Sequence, residues 1–345
     1  MKKYFRMAAV AVAAVSLTGV AACGGTGGST DSATVTLYSA DGLADWYNVQ
    51  FKAFQEKTGI KVEYVEGGSG EVVSRAEKEK SNPQVDVIVT LPPFIQQADK
   101  QGTLGETKIA DDAALPASAK APNGHYVALA NNYFTMIRGT SVTPKADTWA
   151  DLLDPRFKHK VQYSTPGQAG DGTALLLLLR HVMGDQQALD YLGKLQANNV
   201  GPSASTGKLG PKVSKGELAV ANSDVQMALA SISSDKAAFE TFLPAAADGK
   251  RATLALPYFM GKAADAPHAE NAQKLIDFLM SADVQKTLAD KAFGMSARAD
   301  VQASGPNYDA ITKAIAGAEV WQPDWTDVNA NFQALIDAYN KATGQ

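Results

Sequence analysis

The chain has 345 residues, with 32 Lys and Arg against 36 Asp and Glu, for a formal net charge of −4. The first 22 residues hold three of the basic side chains and none of the acidic ones, which leaves the rest of the chain at −7. An acidic body argues against a protein that follows nucleic-acid phosphates. The four histidines are scattered, without a cysteine beside them, and predict no metal centre.

The amino terminus combines a positive head, an apolar run and a single cysteine. Three basic residues stand among the first six, and a mostly small, apolar segment continues to residue 22. That segment is too short to span a bilayer. Cys23 follows Val-Ala-Ala and is the only cysteine of the chain. The pattern predicts a lipoprotein signal peptide over 1–22, cut so that Cys23 is lipidated and anchors the protein outside the cytoplasm. The alternatives are a cleaved secretory signal with an accidental cysteine, or a buried free thiol.

Residues 23–33 are rich in Gly, Ser and Thr, and predict a flexible tether that ends where the ordered domain starts at Thr34. No cysteine follows Cys23, so no intrachain disulfide can form beyond it. The remaining residues are numerous enough to fold around a large core, which we expect to be divided between two lobes.

The first third of the domain alternates strand and helix patterns. Strands are predicted at 35–38, 61–65 and 85–89, and helices at 45–57, 71–80 and 93–101. This alternation predicts a parallel sheet with crossover helices. Ligands bind beyond the carboxyl ends of such strands, so the loops 39–43, 66–70 and 90–93 are expected to face a site.

Two glycine-rich and hydroxyl-rich loops follow in a second α/β unit. After a short helix at 149–153 and a strand at 161–163, the loop 164–173 leads into a helix predicted at 174–183. The loop 201–208 has the same character. Glycines let a backbone approach a ligand, and hydroxyls with free helix N–H groups form an anion cradle. An ordinary capped loop is the alternative for each.

Two enzyme motifs are matched in part by the second loop. Five residues separate Gly201 from Gly207, and Leu209 stands where a phosphate-binding loop needs Ser or Thr. Ser205 and Lys208 satisfy S-x-x-K, but no S-D-N follows at a suitable distance. Without a nucleophile–base pair or a redox motif, we expect a protein that is not an enzyme and has no cofactor.

Longer segments carry a family resemblance that runs from Val35 to Trp325. They are LYSADGLADWYNVQF, KVEYVEGGSGEVV, NPQVDVIVTLPPFIQ, QYSTPGQAGDGTA, YLGKLQANNVGPSASTGKL, LALPYFMG and WQPDW. On these segments the chain resembles the solute-binding proteins of bacterial ABC importers. Within them it is similar to the 2-aminoethylphosphonate-binding proteins, which are relatives of ferric-iron and thiamine binders.

The resemblance implies an α/β fold of the type II periplasmic-binding-protein kind, in which two lobes joined by crossing hinge strands enclose a ligand cleft. It also implies a monomer that delivers its ligand to an ABC permease in the cytoplasmic membrane and touches the membrane only through its lipid. The expected boundaries are 34–130 plus 253–300 for lobe 1 and 131–252 plus 301–345 for lobe 2, with crossings at 131–138 and 253–259. The return segment of lobe 1 is expected to carry a helix at 271–289, and the C-terminal helices to pack on lobe 2.

The same resemblance guides the choice of ligand. Ferric relatives hold the metal through adjacent tyrosines, but residues 220–226 contain none, and Ser39 and Thr90 occupy the first-lobe positions. A hydroxyl-rich cleft suits a phosphonate better than iron. Phosphate, a sulfonate, a thiamine-like ester or ferric iron remain alternatives.

The candidate ligand contacts form two groups, one for the negative phosphonate and one for the positive ammonium group. The expected phosphonate donors are Ser39, Thr165, Gly172, Thr173, Ser205 and Thr206, with Thr90 beside them. The ammonium group needs a carboxylate or an aromatic face, for which Asp224, Asp41 and Tyr258 are the candidates, and Asp171 either joins them or caps its helix. A cap or a surface ion pair is the alternative for each carboxylate, and lobe-interface core is the alternative for Tyr258.

Overall fold

The computed structural model describes residues 33–345. The strands are β1 (Thr34–Ala40), β2 (Lys61–Gly67), β3 (Val87–Thr90), β4 (Val127–Asn131), β5 (Phe134–Gly139), β6 (Val161–Gln162), β7 (Val220–Asp224), β8 (Phe239–Phe242), β9 (Ala252–Leu254), β10 (Tyr258–Lys262), β11 (Met295–Ser296) and β12 (Glu319–Trp321). The helices are α1 (Ala44–Thr58), α2 (Ser69–Lys78), α3 (Phe94–Lys100), α4 (Gly170–Met183), α5 (Asp185–Leu195), α6 (Leu209–Ser214), α7 (Val225–Ser234), α8 (Ala269–Met280), α9 (Ala282–Gln285), α10 (Leu288–Ala292), α11 (Pro306–Ala314), α12 (Trp325–Ala330) and α13 (Phe332–Thr343).

A six-stranded sheet, here called the first sheet, has the order β11-β4-β10-β3-β1-β2. The parallel part predicted from the sequence is present, since β1 pairs in parallel with both β2 and β3. β10 then pairs antiparallel with β3 and β4, and β11 pairs antiparallel with β4. β3 is buried along its whole length, as expected of an apolar strand covered on both faces.

A four-stranded sheet, the second sheet, has the order β6-β7-β5-β8, and β9 and β12 form a separate parallel pair. The chain passes between the two large sheets after β4 and again between β9 and β10. These two passages touch, because the Leu256 amide donates to the carbonyl of Asn132 at 2.9 Å and Tyr133 pairs with Ala255. They coincide with the predicted crossings, while the exact lobe boundaries stay a prediction.

Two helices differ from the sequence expectation. The helix predicted from residue 174 begins four residues earlier, at Gly170, because the extended residue Ala169 starts it and Gly172 packs directly on the preceding loop. A Cβ on Gly172 would lie 2.1 Å from the carbonyl oxygen of Ser164, so only glycine permits this approach. The single helix expected near 271–289 is interrupted at Ser281, which has an extended backbone, and continues as α9 and α10.

The C-terminal helix α13 packs near the start of the loop after β6. The Tyr339 and Tyr163 hydroxyls lie 3.1 Å apart, with their rings edge to face. Phe332 at the start of α13 also contacts Phe94 of α3 edge to face. Among residues 33–345, no helix has the length and apolar character needed to cross a membrane. Cys23 and the predicted signal peptide lie outside the described residues.

Candidate functional site

A carboxylate–hydroxyl contact joins the end of β1 to the loop before α6. Oδ2 of Asp41 accepts a hydrogen bond from the Ser205 hydroxyl at 2.6 Å and another from the Gly207 amide at 3.3 Å. Burial raises the pKa of Asp41, against the opposing effects of these donors and of the Lys208 ammonium. The loops of the two sheets therefore meet directly at this carboxylate.

The Tyr258 hydroxyl lies at the centre of the polar cluster. Tyr258 is fully buried at the start of β10. Its hydroxyl lies 2.9 Å from the carbonyl oxygen of Asp41, 3.2 Å from Oδ2 of Asp224 and 3.4 Å from Oε1 of Gln226. A hydroxyl has one proton to donate, so it cannot satisfy three acceptors at once. The excess of acceptors favours a ligand that carries donors.

Gly42 makes room for that hydroxyl. Its φ of +104° lies in the region that favours glycine, and a Cβ there would come within 2.3 Å of the Tyr258 hydroxyl oxygen. The turn after β1 and the tyrosine on β10 are therefore fitted to each other.

Asp224 is the last residue of β7 and the N-cap of α7. Its Oδ1 accepts a hydrogen bond from the Met227 amide at 2.6 Å. Burial is the main cause that raises the pKa of Asp224, to about 6, while the Met227 amide, the Asn132 side chain and Tyr258 lower it. Asp224 thus caps a helix with one oxygen and faces the cluster with the other.

Asp171 is a second fully enclosed carboxylate, 2 % exposed in the first turn of α4. Its Oδ1 is buried with no hydrogen-bond partner among the described residues. Burial raises its pKa well above the usual range, the charge of Asp224 adds to this effect, and the Thr206 hydroxyl opposes it. The N-cap position of the helix is Ala169, whose side chain forms no capping hydrogen bond.

The three carboxylates are poor in positive partners. Within residues 33–345, no lysine or arginine forms an ion pair with Asp41, Asp171 or Asp224, and Lys208 acts on Asp41 alone. Burying unpaired carboxylates is costly. This arrangement favours a cationic group between them.

A hydroxyl and amide network supports the same region from the second sheet. The Thr206 hydroxyl donates to Oγ of Ser164 at 2.9 Å, and Nδ2 of Asn222 donates to the same atom at 3.0 Å. The Ser164 amide in turn donates to Oδ1 of Asn222 at 2.8 Å. Because Ser164 Oγ accepts twice, its own proton is left to donate to a ligand.

Ser39 and Thr90 lie at the carboxyl ends of β1 and β3, as the loop argument predicted. The Ser39 hydroxyl donates to its neighbour's carbonyl at 3.0 Å and lies 3.3 Å from the Tyr47 hydroxyl. Thr90 donates to the carbonyl of Ser69 at 3.0 Å. The side chains of Ser39, Tyr47, Thr90 and Ser69 are all buried.

The first turns of α2 and α4 face each other across the cleft. The Gly70 amide donates to the carbonyl of Gln168 at 3.0 Å, and a Cβ on Gly170 would lie 3.1 Å from Oγ of Ser69. The remaining N–H groups of these two first turns and the Ser69 hydroxyl are the type of donor that binds an anion.

Thr165 and Thr173 shape their loop. Thr165 Oγ1 accepts from the Ser203 amide at 2.9 Å. The Thr173 hydroxyl donates to the carbonyl of Ala169 at 3.0 Å and accepts from the Gly167 amide at 3.1 Å. The single proton of Thr173 is therefore already committed, whereas that of Thr165 is not.

The structure brings one group of the predicted residues into a single cluster and leaves the others around it. The cluster holds Asp41, Ser205, Asp224 and Tyr258 in direct contact, with Asp171 and Thr206 beside them; Ser39, Thr90, Thr165, Gly172 and Thr173 line the loops nearby. Sequence reasoning missed Ser164, Asn222, Ser69, Gln226 and Glu66. Two signals were available: Ser69 and Glu66 lie in the loop 66–70 that the strand-end rule had marked, and Ser164 opens the hydroxyl-rich loop 164–173.

A cavity of about 320 Å³ opens beside the cluster. Asp41, Ser205 and Gln226 form its inner wall, and Lys208 and Lys291 lie at its rim. Among the described residues, no group of three or more His, Cys, Asp or Glu side chains is arranged to hold a metal ion.

Comparison with known proteins identifies the family. The bacterial extracellular solute-binding protein family matches residues 82–316. Proteins of Salmonella typhimurium and Salmonella typhi, each named as a candidate 2-aminoethylphosphonate-binding periplasmic protein, are 45% identical over 315 residues, covering 90% of this chain and 92% of theirs. The resemblance drawn from the sequence segments is confirmed.

Solved structures share the fold at low sequence identity. The periplasmic binding protein P5PA superimposes with a TM-score of 0.75 at 20% identity, covering 90% of this chain and 99% of its own. AfuA from Actinobacillus pleuropneumoniae, solved with exogenous fructose-6-phosphate, has a TM-score of 0.73 at 18% identity and the same coverage. The ferric binding protein from Campylobacter jejuni has a TM-score of 0.71 at 19% identity, covering 89% and 99%. These similarities confirm the predicted fold class, and the chain belongs to the bacterial extracellular solute-binding protein family.

Proposed function

We propose that this protein is the lipid-anchored receptor of an ABC importer and captures 2-aminoethylphosphonate for delivery to the permease. The observation that carries the proposal is the set of three carboxylates around the Tyr258 hydroxyl, of which Asp171 and Asp224 are buried and Asp41 is half-buried. The hydroxyl and amide groups of Ser164, Thr206 and Asn222 form a hydrogen-bonded network in the same region, and the cavity opens at Asp41.

The ligand has two ends that suit the two kinds of surface. Its ammonium group offers three donors, which the acceptors around Tyr258 can receive. Its phosphonate oxygens can accept hydrogen bonds from Ser164, Thr165 and Ser69 and from the first turns of α2 and α4. The names of the Salmonella relatives support the same ligand.

Another small anion or zwitterion is the second candidate, because structural neighbours include proteins whose names refer to ferric iron or whose structures contain a sugar phosphate. A free phosphate or a sulfonate would leave the carboxylates without a cation. The carboxylate cluster therefore favours the aminophosphonate over these anions.

Thermal unfolding with each ligand tests the proposal. At 100 times the dissociation constant, binding to the native state adds roughly 2.7 kcal/mol to the free energy of unfolding. We expect 2-aminoethylphosphonate to raise the melting temperature, and phosphate, ferric citrate and thiamine to leave it unchanged. A larger shift with any of the last three would reject the aminophosphonate. Native mass spectrometry of freshly purified protein provides an independent check, since a retained ligand would be identified by its mass.

A further inference from the structure

The buried cluster carries more negative charge than the side chains around it can balance. In addition to burial, the negative charges of Asp224 and Asp41 raise the pKa of Asp171, and the charge of Asp41 raises that of Asp224, whose Oδ2 accepts from the Tyr258 hydroxyl. Asp41 has the exposed Lys208 on one side, with Glu66 and Glu71 adding further negative charge. Among the described residues, Lys208 lies near Asp41, whereas no lysine or arginine forms an ion pair with Asp171 or Asp224.

The hydrogen bonds of the pair are incomplete as well. Asp224 uses Oδ1 on the Met227 amide and Oδ2 on the Tyr258 hydroxyl. Asp171 Oδ1 has no partner in the described chain, although the side chain is nearly inaccessible to solvent. Two ionised carboxylates in such surroundings repel each other with little compensation, and one proton between them removes most of the cost.

We propose that the empty site holds one proton on the Asp171–Asp224 pair, and that the ammonium group of an incoming ligand replaces this proton. The inference rests on the proposed function, because it requires an amine-bearing ligand. The exchange balances: the proton leaves to solvent, the ammonium keeps its own protons, and the pair becomes fully ionised beside the new positive charge.

The exchange makes the site selective for a primary amine over a neutral group of similar size. An ammonium compensates both carboxylates, whereas a hydroxyl in its place leaves the proton where it was. The raised pKa values of both aspartates have the direction that this exchange requires. Below the pKa of the pair, amine binding should weaken as pH falls by up to about tenfold per pH unit, while binding of a hydroxyl analogue should not.

Titration calorimetry with two matched phosphonates tests the inference. The protein is titrated at pH 7 with 2-aminoethylphosphonate and with 2-hydroxyethylphosphonate, in buffers of different ionisation enthalpy. The phosphonate group of each ligand also gains or loses protons on binding, and this contribution is similar for both ligands, so it largely cancels when their proton release is compared. We expect the amine to release roughly one more proton than the hydroxyl analogue. We also expect the ratio of the two dissociation constants to narrow as pH falls from 7 to 5.

Asp171→Asn serves as the test variant and Asp309→Asn as its control, because Asp309 is an exposed aspartate in the first turn of α11. Asp171→Asn should abolish the extra proton release, and Asp309→Asn should leave it intact. The comparison of ligands on the unaltered protein stands even if Asp171→Asn does not fold.

Each outcome separates the inference from the function on which it rests. Amine binding with equal proton release for both ligands would overturn the inference and leave the proposed function in place. Failure to bind 2-aminoethylphosphonate at all would overturn both. Amine-specific proton release that persists in Asp171→Asn would place the proton elsewhere and contradict the assignment.

Discussion

The Ser205 hydroxyl donates to Oδ2 of Asp41 at 2.6 Å, although the two residues are 164 positions apart in the chain. Asp41 follows β1 of the first sheet. Ser205 lies in the loop before α6, and α6 leads to β7 of the second sheet. The contact therefore links the two walls of the cleft. The contact also helps to hold Asp41 in place, and the backbone carbonyl oxygen of Asp41 lies 2.9 Å from the Tyr258 hydroxyl.

Loss of this link should favour an open cleft. Ser205→Ala removes a short hydrogen bond to a carboxylate, worth about 1.5 to 3 kcal/mol. We expect ligand affinity to fall by roughly one to two decades, and the radius of gyration of the empty protein in X-ray scattering to increase. Ser233→Ala, an exposed serine on α7, is the control and should change neither. An unaltered affinity for Ser205→Ala would show that the contact does not contribute to closure.

The two ends of the ligand should respond to different substitutions. Thr206→Val removes the hydroxyl that donates to Ser164 Oγ and lies beside Asp171, so we expect it to weaken 2-aminoethylphosphonate and ethylphosphonate alike, by roughly one to two decades. Asp224→Asn removes a charge but keeps an oxygen that can cap α7. It should weaken the aminated ligand strongly and ethylphosphonate little. Calorimetry with both ligands measures the difference. Equal weakening of both by Asp224→Asn would leave this residue with a capping role alone.

Asp224 should also make the empty protein less stable as pH rises. Its pKa is about 6 in the folded state against 3.8 as the ordinary value, so the folded state binds the proton more tightly. The stability that this proton contributes is complete below about pH 4 and is lost as pH rises through 6. Across that window the wild type should lose about 2 to 3 kcal/mol relative to Asp224→Asn. Urea unfolding of both proteins at pH 4, 5, 6 and 7 measures it, and a pH-independent difference would contradict the raised pKa.

Gly42 should be required for the position of Tyr258. Gly42→Ala places a methyl group against the tyrosine hydroxyl, in addition to backbone strain from positive φ. Gly59→Ala is the matched control, since Gly59 also has positive φ, +73°, but nothing lies within 4 Å of its added Cβ. Both variants should lose about 1 kcal/mol of stability from strain. Only Gly42→Ala should also lose ligand affinity in calorimetry, and equal affinities would refute the fit between turn and tyrosine.

The predicted lipid anchor is tested by its single cysteine. Cys23→Ser should leave a folded protein that binds its ligand but is absent from the membrane fraction. Fractionation followed by mass analysis of the mature amino terminus measures both properties. An unmodified cysteine at the mature terminus of the wild type would contradict the lipid anchor.

Features that depend on local pattern can be predicted from the amino-acid sequence alone. The alternation of apolar strands and amphipathic segments predicts β1 to β3 and α1 to α3 within a few residues, because side-chain periodicity fixes which backbone conformation buries the apolar face. The strand-end rule then places Ser39, Asp41 and Thr90 near a site, since parallel strands end at one edge of a sheet. Long matched segments identify the family.

Which polar residues come into contact depends on the tertiary structure. Asp171 and Asp224 lie more than fifty positions apart, and their mutual influence depends on how α4 packs behind β7. The early start of α4 came from the fit of Gly172 against the Ser164 backbone, a contact with no sequence signature beyond the glycine itself. Asn222 and Gln226 were missed for the same reason. A polar residue becomes part of a site through its burial and its neighbours, and both are set by long-range packing rather than by local pattern.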